Sequence, residues 1–209
     1  MRTLAVLASG QGTNFEALAV ASERGALGGR IAVLVSDHAE APALARARTH
    51  GIEALHLSPG RFRTRIEDER PWLDALRARG VEVVLLAGFM RRLHAPLLDA
   101  FSERMLNIHP SLLPAFPGLD AIGQAWAHGV RVTGCTVHLV EHGLDSGPIL
   151  AQSAVEVRED DTRDTLEARI HDAEHALYPW AVRRFLTEPW KREGRRMRVD
   201  VATAGEPRG

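Results

Sequence analysis

The apolar positions of this chain gather into short continuous runs, separated by stretches with helical spacing. Thr3 to Ala8 is one such run, and Ile31–Val35, Glu53–Leu57 and Val81–Ala87 are others. Runs of this length are expected of strands buried on both faces of a parallel sheet. Between them lie Phe15 to Val20, then Pro42 to Thr49 ended by Gly51. A longer amphipathic stretch from Arg61 to Arg79 carries Ile66, Trp72, Leu73 and Leu76 and is ended by Gly80. These stretches predict helices, with Pro71 marking either a kink or the real start of the third. Met105-Leu106 ends a further short buried strand. Ala121–Ala127, closed by Gly129, reads as a helix, and Arg131–Val140 and Ile149–Val157 read as strands. A last helix starts at Thr162, capped by Asp161 or Thr162. It passes Leu166, Ile170, His171, Glu174 and Leu177 to Tyr178-Pro179, with a continuation to Leu186. This alternation predicts an α/β fold: a doubly wound, mostly parallel central sheet with helices on both faces. In such sheets ligands bind outside the carboxyl ends of the strands. One domain over 1–187 is expected, with a charged tail over 188–209 that frays.

Two loops at predicted strand ends carry candidate chemistry. The first, Ser9-Gly10-Gln11-Gly12-Thr13-Asn14, joins the first strand to a helix. Glycines there let the backbone approach a ligand, while free helix N–H groups and the Thr13 and Asn14 side chains offer donors; the loop favours a phosphate. A dinucleotide fold begins the same way, but the third glycine of its fingerprint falls at Phe15. Asp37, after the second strand, lies farther along than that fingerprint expects of its ribose-binding acid.

The second loop, Asn107-Ile108-His109-Pro110-Ser111-Leu112-Leu113-Pro114-Ala115-Phe116-Pro117-Gly118, contains three prolines, which hold it rigid and non-helical. Residues two apart in an extended segment point to the same side. Asn107 and His109 therefore face one space, an amide donor for a carbonyl oxygen beside an imidazole that exchanges protons near neutral pH. Alone, Asn-x-His is more readily a turn cap and a satisfied buried histidine.

Composition narrows the chemistry. With 209 residues, 45% apolar and 25% charged, the chain suits one soluble α/β domain. Its net charge of −1 recruits neither nucleic acid nor an anionic membrane. No apolar run reaches the roughly 20 residues of a membrane span, and the start is too short for a secretory signal. A cytoplasmic location is expected. The single cysteine, Cys135, excludes an internal disulfide and a cysteine-clustered metal site; in Cys135-Thr136-Val137 it reads as a buried structural thiol. Lys191 is the only lysine, so a Walker-type loop and Schiff-base chemistry are set aside. His171 and His175 are four apart on a helix, but no third ligand accompanies them, so no metal is expected.

The proline-rich dodecamer, together with Leu144-Asp145-Ser146-Gly147-Pro148-Ile149, resembles the signature of the folate-dependent formyltransferases. The resemblance spans about Met1 to Pro179. It implies the family's Rossmann-like fold and transfer of a formyl group from 10-formyltetrahydrofolate to an amine. The Pro-Ser-Leu-Leu-Pro-x-Phe-Pro-Gly form implies 5-phosphoribosylglycinamide as acceptor, in a step of purine biosynthesis. Asn107 then binds the formyl oxygen and His109 is the acid. Asp145 is its partner, because a carboxylate near an imidazole favours the protonated form and assists proton transfer. The ribonucleotide falls to Gly10, Gln11, Gly12, Thr13 and Asn14 for its phosphate and to Glu174. The folate falls to Arg65, to Met90, Arg91, Arg92 and Leu93, to Asn107, and to Glu141, His142, Gly143, Leu144 and Asp145. Arg92 stands where the family usually has an aliphatic residue, and a solvated helix face competes as the reading of Arg65. The implied partners are these two small molecules, with no nucleic acid and no membrane, for a monomer or homodimer. Family members that formylate a tRNA carry a further nucleic-acid-binding domain, and formyltetrahydrofolate hydrolases a further regulatory one.

Overall fold

The computed structural model describes residues 1–200. It contains β1 (Arg2–Leu7), α1 (Thr13–Glu23), β2 (Gly29–Ser36), α2 (Pro42–Thr49), β3 (Glu53–His56), α3 (Arg70–Arg77), β4 (Val83–Leu86) and α4 (Ala95–Ala100). There follow β5 (Met105–His109), α5 (Ala121–Ala127), β6 (Val132–Leu139), β7 (Ile149–Glu156), α6 (Arg163–Thr187), β8 (Trp190–Glu193) and β9 (Arg196–Val199). All strands join one sheet in the order β3-β2-β1-β4-β5-β6-β7-β9-β8. The first five are parallel; β6 then runs antiparallel to both β5 and β7, and β7 pairs with β9 in parallel.

Period-two alternation along the strands divides the core between the two faces of the sheet. Leu4, Val6, Leu34, Leu85, Leu106 and Val137 pack with Phe15 and Leu18 of α1, Leu44 of α2, and Tyr178 and Val182 of α6. Ala5, Leu7, Val33, Val35, Val84 and Met105 pack with Trp72 and Leu76 of α3 and Leu97 of α4. A fully buried leucine or phenylalanine contributes about 1.5–3 kcal/mol, so the doubly covered arrangement is the one these apolar runs demand.

Two elements depart from the sequence reading, and a third extends it. The stretch from Arg61 to Arg79 is not one helix: α3 starts at Arg70 with Pro71 in its first turn. Glu69, just before it, is buried and accepts from the backbone N–H groups of His94 and Leu97 at 2.6 and 3.1 Å. It thereby caps α4, a six-residue helix too short to leave a periodic signal. The last helix takes the continuation past Pro179, reaching Thr187, one residue beyond the expected Leu186. Ala181 and Val182 stay buried beyond the proline, and the Tyr178 hydroxyl donates to the carbonyls of Leu86 and Leu106. Finally, residues 190–199 of the expected tail form the β8–β9 hairpin, fastened by Trp190 Nε1 to the Arg184 carbonyl at 2.9 Å and by Arg192 to Glu141 at 2.6 Å. Its polar pattern hid it, because an edge hairpin buries little. The end of that tail, 201–209, lies outside the described residues. No helix among the described residues is long and apolar enough to cross a membrane.

Candidate active site

The loops after β1, β4 and β5 lie at the carboxyl edge of the parallel strands, and the turn between β6 and β7, which leaves beside the start of β5, brings Asp145 back to His109 and Gly118. Asn107 and His109 lie on β5 two residues apart and share a face. The antiparallel partner β6 sets His138 opposite Asn107 and Thr136 opposite His109. The rigid loop that follows is strapped down: Thr136 Oγ1 donates to the Ser111 carbonyl and accepts from Leu113 N–H, while Gln152 Nε2 donates to the Leu113 carbonyl. Its far end returns the Phe116 carbonyl to His109 Nε2 at 2.9 Å. That bond holds the buried imidazole with Nδ1 facing Asp145 Oδ2 at 3.6 Å, an ion-pair separation rather than a hydrogen bond.

Asp145 adopts a left-handed conformation, φ 46°, in the tight turn between β6 and β7. It accepts from Gly118 N–H at 2.7 Å, which joins this turn to the proline loop. Gly147 admits no side chain, since a Cβ there would lie 1.8 Å from the Leu139 carbonyl oxygen. The sequence reading thus brought together three groups that the structure also brings together.

His138 had no assigned role in that reading, yet it completes the cluster. It is 2% exposed. Its Nδ1 donates to the Leu139 carbonyl at 2.8 Å, so Nε2 carries the lone pair and accepts from Asn107 Nδ2 at 3.2 Å. Burial pushes the imidazole below its ordinary pKa of 6.5, against the pull of Asp145 3.7 Å away. A neutral His138 fixes the Asn107 amide by one N–H and leaves the other for a ligand. Period-two alternation would have put Thr136 and His138 on one face, but only strand pairing shows that this face meets β5.

In the glycine loop, Gly12 has φ +75°, and a Cβ would lie 2.7 Å from that of Ala43. Only glycine fits so close to α2 in this conformation. Arg46 Nε donates to the Gln11 carbonyl at 2.9 Å, setting a guanidinium beside the loop. Ser9 ties this loop to the next one, donating from its N–H to the Gly88 carbonyl and accepting from Met90 N–H at Oγ. Asn14 Nδ2 donates to Glu174 Oε2 at 3.0 Å, while Asn14 Oδ1 is buried and unpaired. Glu174 is 3% exposed; burial pushes its carboxyl up to about 7 despite the hydrogen bond from Asn14. The same burial, with Glu174 nearby, pushes the Cys135 thiol up to about 12, so it is no nucleophile at neutral pH.

The remaining predicted positions divide. Met90 is 55% exposed and Leu144 half-exposed, and Leu144 packs near Gly118. The Arg65 guanidinium lies over the Phe62 ring, 4.0 Å from its centroid, rather than on a helix face. Arg92 N–H donates to the Thr64 carbonyl and Arg91 is engaged with Asp37. The side chains of Glu141 and His142 are engaged by Arg192 and Asp99, so the backbone of that turn is what borders Asp145. No group of three or more His, Cys, Asp or Glu among the described residues could hold a metal; His171 and His175 only stack.

A glycine loop beside an amide, an imidazole and a carboxylate gives the donors and the proton carrier that a group-transfer site requires. The chain belongs to the formyl transferase family, whose model matches residues 2–182. It is 43% identical to the phosphoribosylglycinamide formyltransferase of Bacillus subtilis over 186 residues, covering 89% of this chain and 95% of that protein. It is 40% identical to the trifunctional purine biosynthetic protein adenosine-3 of Drosophila melanogaster, covering 87% of this chain but 14% of that longer one. Its structure superposes on glycinamide ribonucleotide transformylase 1 of Symbiobacterium toebii with a TM-score of 0.91 and 49% identity, over 95% of this chain and 94% of that one.

Proposed function

We propose that this protein transfers the formyl group of 10-formyltetrahydrofolate to the amine of 5-phosphoribosylglycinamide, a step of purine biosynthesis. The observation that carries the reading is the cluster at the end of β5, where His109 lies 2.9 Å from the Phe116 carbonyl and 3.6 Å from Asp145, with Asn107 held by His138. The neutral acceptor amine attacks the formyl carbon, and the carbonyl π electrons move onto oxygen. The free N–H of Asn107 and the Nδ1–H of protonated His109 stabilise that oxyanion, an interaction typically contributing about 3–4 kcal/mol per well-placed donor. Asp145 holds the positive charge on His109 and, through the solvent-facing side of its turn, relays the proton shed by the amine. The bond from the formyl carbon to the folate nitrogen then breaks, and that nitrogen takes up a proton, leaving tetrahydrofolate and the formylated amide.

The N–H groups of Gly10 to Asn14 suit the ribonucleotide phosphate, with Arg46 adding charge. Asn14 Oδ1 and Glu174 offer acceptors to the rest of that substrate. Met90, Leu144 and the Arg65 loop suit the folate, whose apolar faces need cover and whose polar edge is read by backbone around residues 90–93 and 141–145. The test is absorbance-monitored formyl transfer with and without 5-phosphoribosylglycinamide. Acceptor-dependent production of tetrahydrofolate is expected, falling at least about a hundredfold in His109→Ala while the ribonucleotide still binds. Folate product formed equally without acceptor would replace the transferase by a hydrolase.

A further inference from the structure

Asp37 stands at the end of β2 and the catalytic cluster makes no use of it. Its side chain is fully buried, and its Oδ2 accepts from Arg91 Nε at 2.6 Å, with His38 Nε2 3.4 Å away. The same guanidinium donates through Nη1 to the carbonyls of Phe62, at 3.0 Å, and Arg63. One residue further, Arg92 N–H donates to the Thr64 carbonyl at 2.9 Å, and residues 65 and 92 form a β-bridge. Three successive carbonyls, 62 to 64, are thus gripped by two successive residues of the loop after β4. The gripped segment is otherwise closed largely on itself: Glu67 N–H donates to the Pro59 carbonyl and Arg61 N–H to Glu67 Oε2, with Ile66 as its buried plug.

We propose that Asp37 is a positioning residue for the folate side of the site. It aims the Arg91 fork so that the 58–67 loop is latched onto the loop after β4, which fixes the Arg65–Phe62 pair beside the bound cofactor. This rests on the assignment of those two loops to folate above. The guanidinium is suited because one planar group bonds a carboxylate along one edge and carbonyls along the other. Asparagine at 37 keeps the shape but removes the charge. Lysine at 91 keeps the charge, yet one ammonium cannot span the carboxylate and both carbonyls.

The latch is read directly by trypsin, because the loop carries Arg61, Arg63 and Arg65, exposed on its surface. In Asp37→Asn and in Arg91→Lys, cleavage after these arginines, mapped by mass spectrometry, is expected to quicken about tenfold, the loss of one charge-assisted hydrogen bond. KM for 10-formyltetrahydrofolate should rise by a similar factor, while KM for the ribonucleotide stays within twofold, on the order of measurement scatter. Arg91→Lys keeps the buried carboxylate paired, so it guards against a variant that merely fails to fold. Unchanged cleavage in both variants overturns the latch. Faster cleavage with an unchanged folate KM, or an equal rise in both KM values, overturns its positioning role. Absence of formyl transfer in the unaltered protein would count against the reaction, whereas the cleavage pattern reads the latch by itself.

Discussion

Glu174 is a carboxylic acid held where it ionises with difficulty, and Glu174→Gln should expose what that costs. Burial moves its pKa from 4.5 to about 7. Between those two values the folded protein keeps a proton that the unfolded chain has released, so stability falls as pH rises through that window. At about 1.4 kcal/mol per pKa unit, the full penalty above pH 7 is about 3 kcal/mol. Glutamine has no such penalty, and its amide oxygen can still accept from Asn14 Nδ2, which now lies 3.0 Å from Glu174 Oε2. The variant should therefore be more stable than the unaltered protein by up to about 3 kcal/mol at pH 8. For a chain of this size that is roughly 6–12 °C in Tm. The two proteins should converge towards pH 4, where both side chains are neutral. Urea unfolding across that pH range measures the difference curve. Parallel stability curves, with no narrowing below pH 7, would refute the burial argument. With Glu174 proposed as an acceptor for the ribonucleotide, the same variant should bind that substrate less well; a gain in stability with a loss of affinity is the expected exchange at such a site.

Two further perturbations probe the site's supports. Gly12→Ala forces a Cβ into a left-handed residue 2.8 Å from the Ala43 backbone, so a loss of about 2 kcal/mol or more in urea unfolding, with a raised ribonucleotide KM, is expected; a wild-type midpoint would show that the loop can swing away. His138→Leu removes the acceptor that orients Asn107 while filling the same space, and should lower kcat about tenfold with little change in either KM. A change confined to KM would mean that His138 shapes binding and not the transition state.

Much of the parallel half of the sheet was legible in the chain, because strands covered on both faces must be continuously apolar and Val83–Leu86 or Leu4–Leu7 can satisfy that in no other way. The glycine loop and the Asn107–His109 pair were legible for a related reason: backbone constraints imposed by glycine and proline act within a few residues, and side chains two apart on a strand share a face. Asp145 could be placed only through resemblance, since nothing local brings a turn residue to a histidine 36 positions earlier. What tertiary structure alone decided is pairing. The antiparallel register of β5 with β6 makes His138 the orienting partner of Asn107, and the fold sets the Arg91 guanidinium against Asp37. The β8–β9 hairpin likewise exists only because an edge and partners such as Glu141 and Arg184 await it. Sequence patterns report how much surface each residue must bury; they carry no record of which distant polar group will meet it, and at this site the distant meetings orient the chemistry.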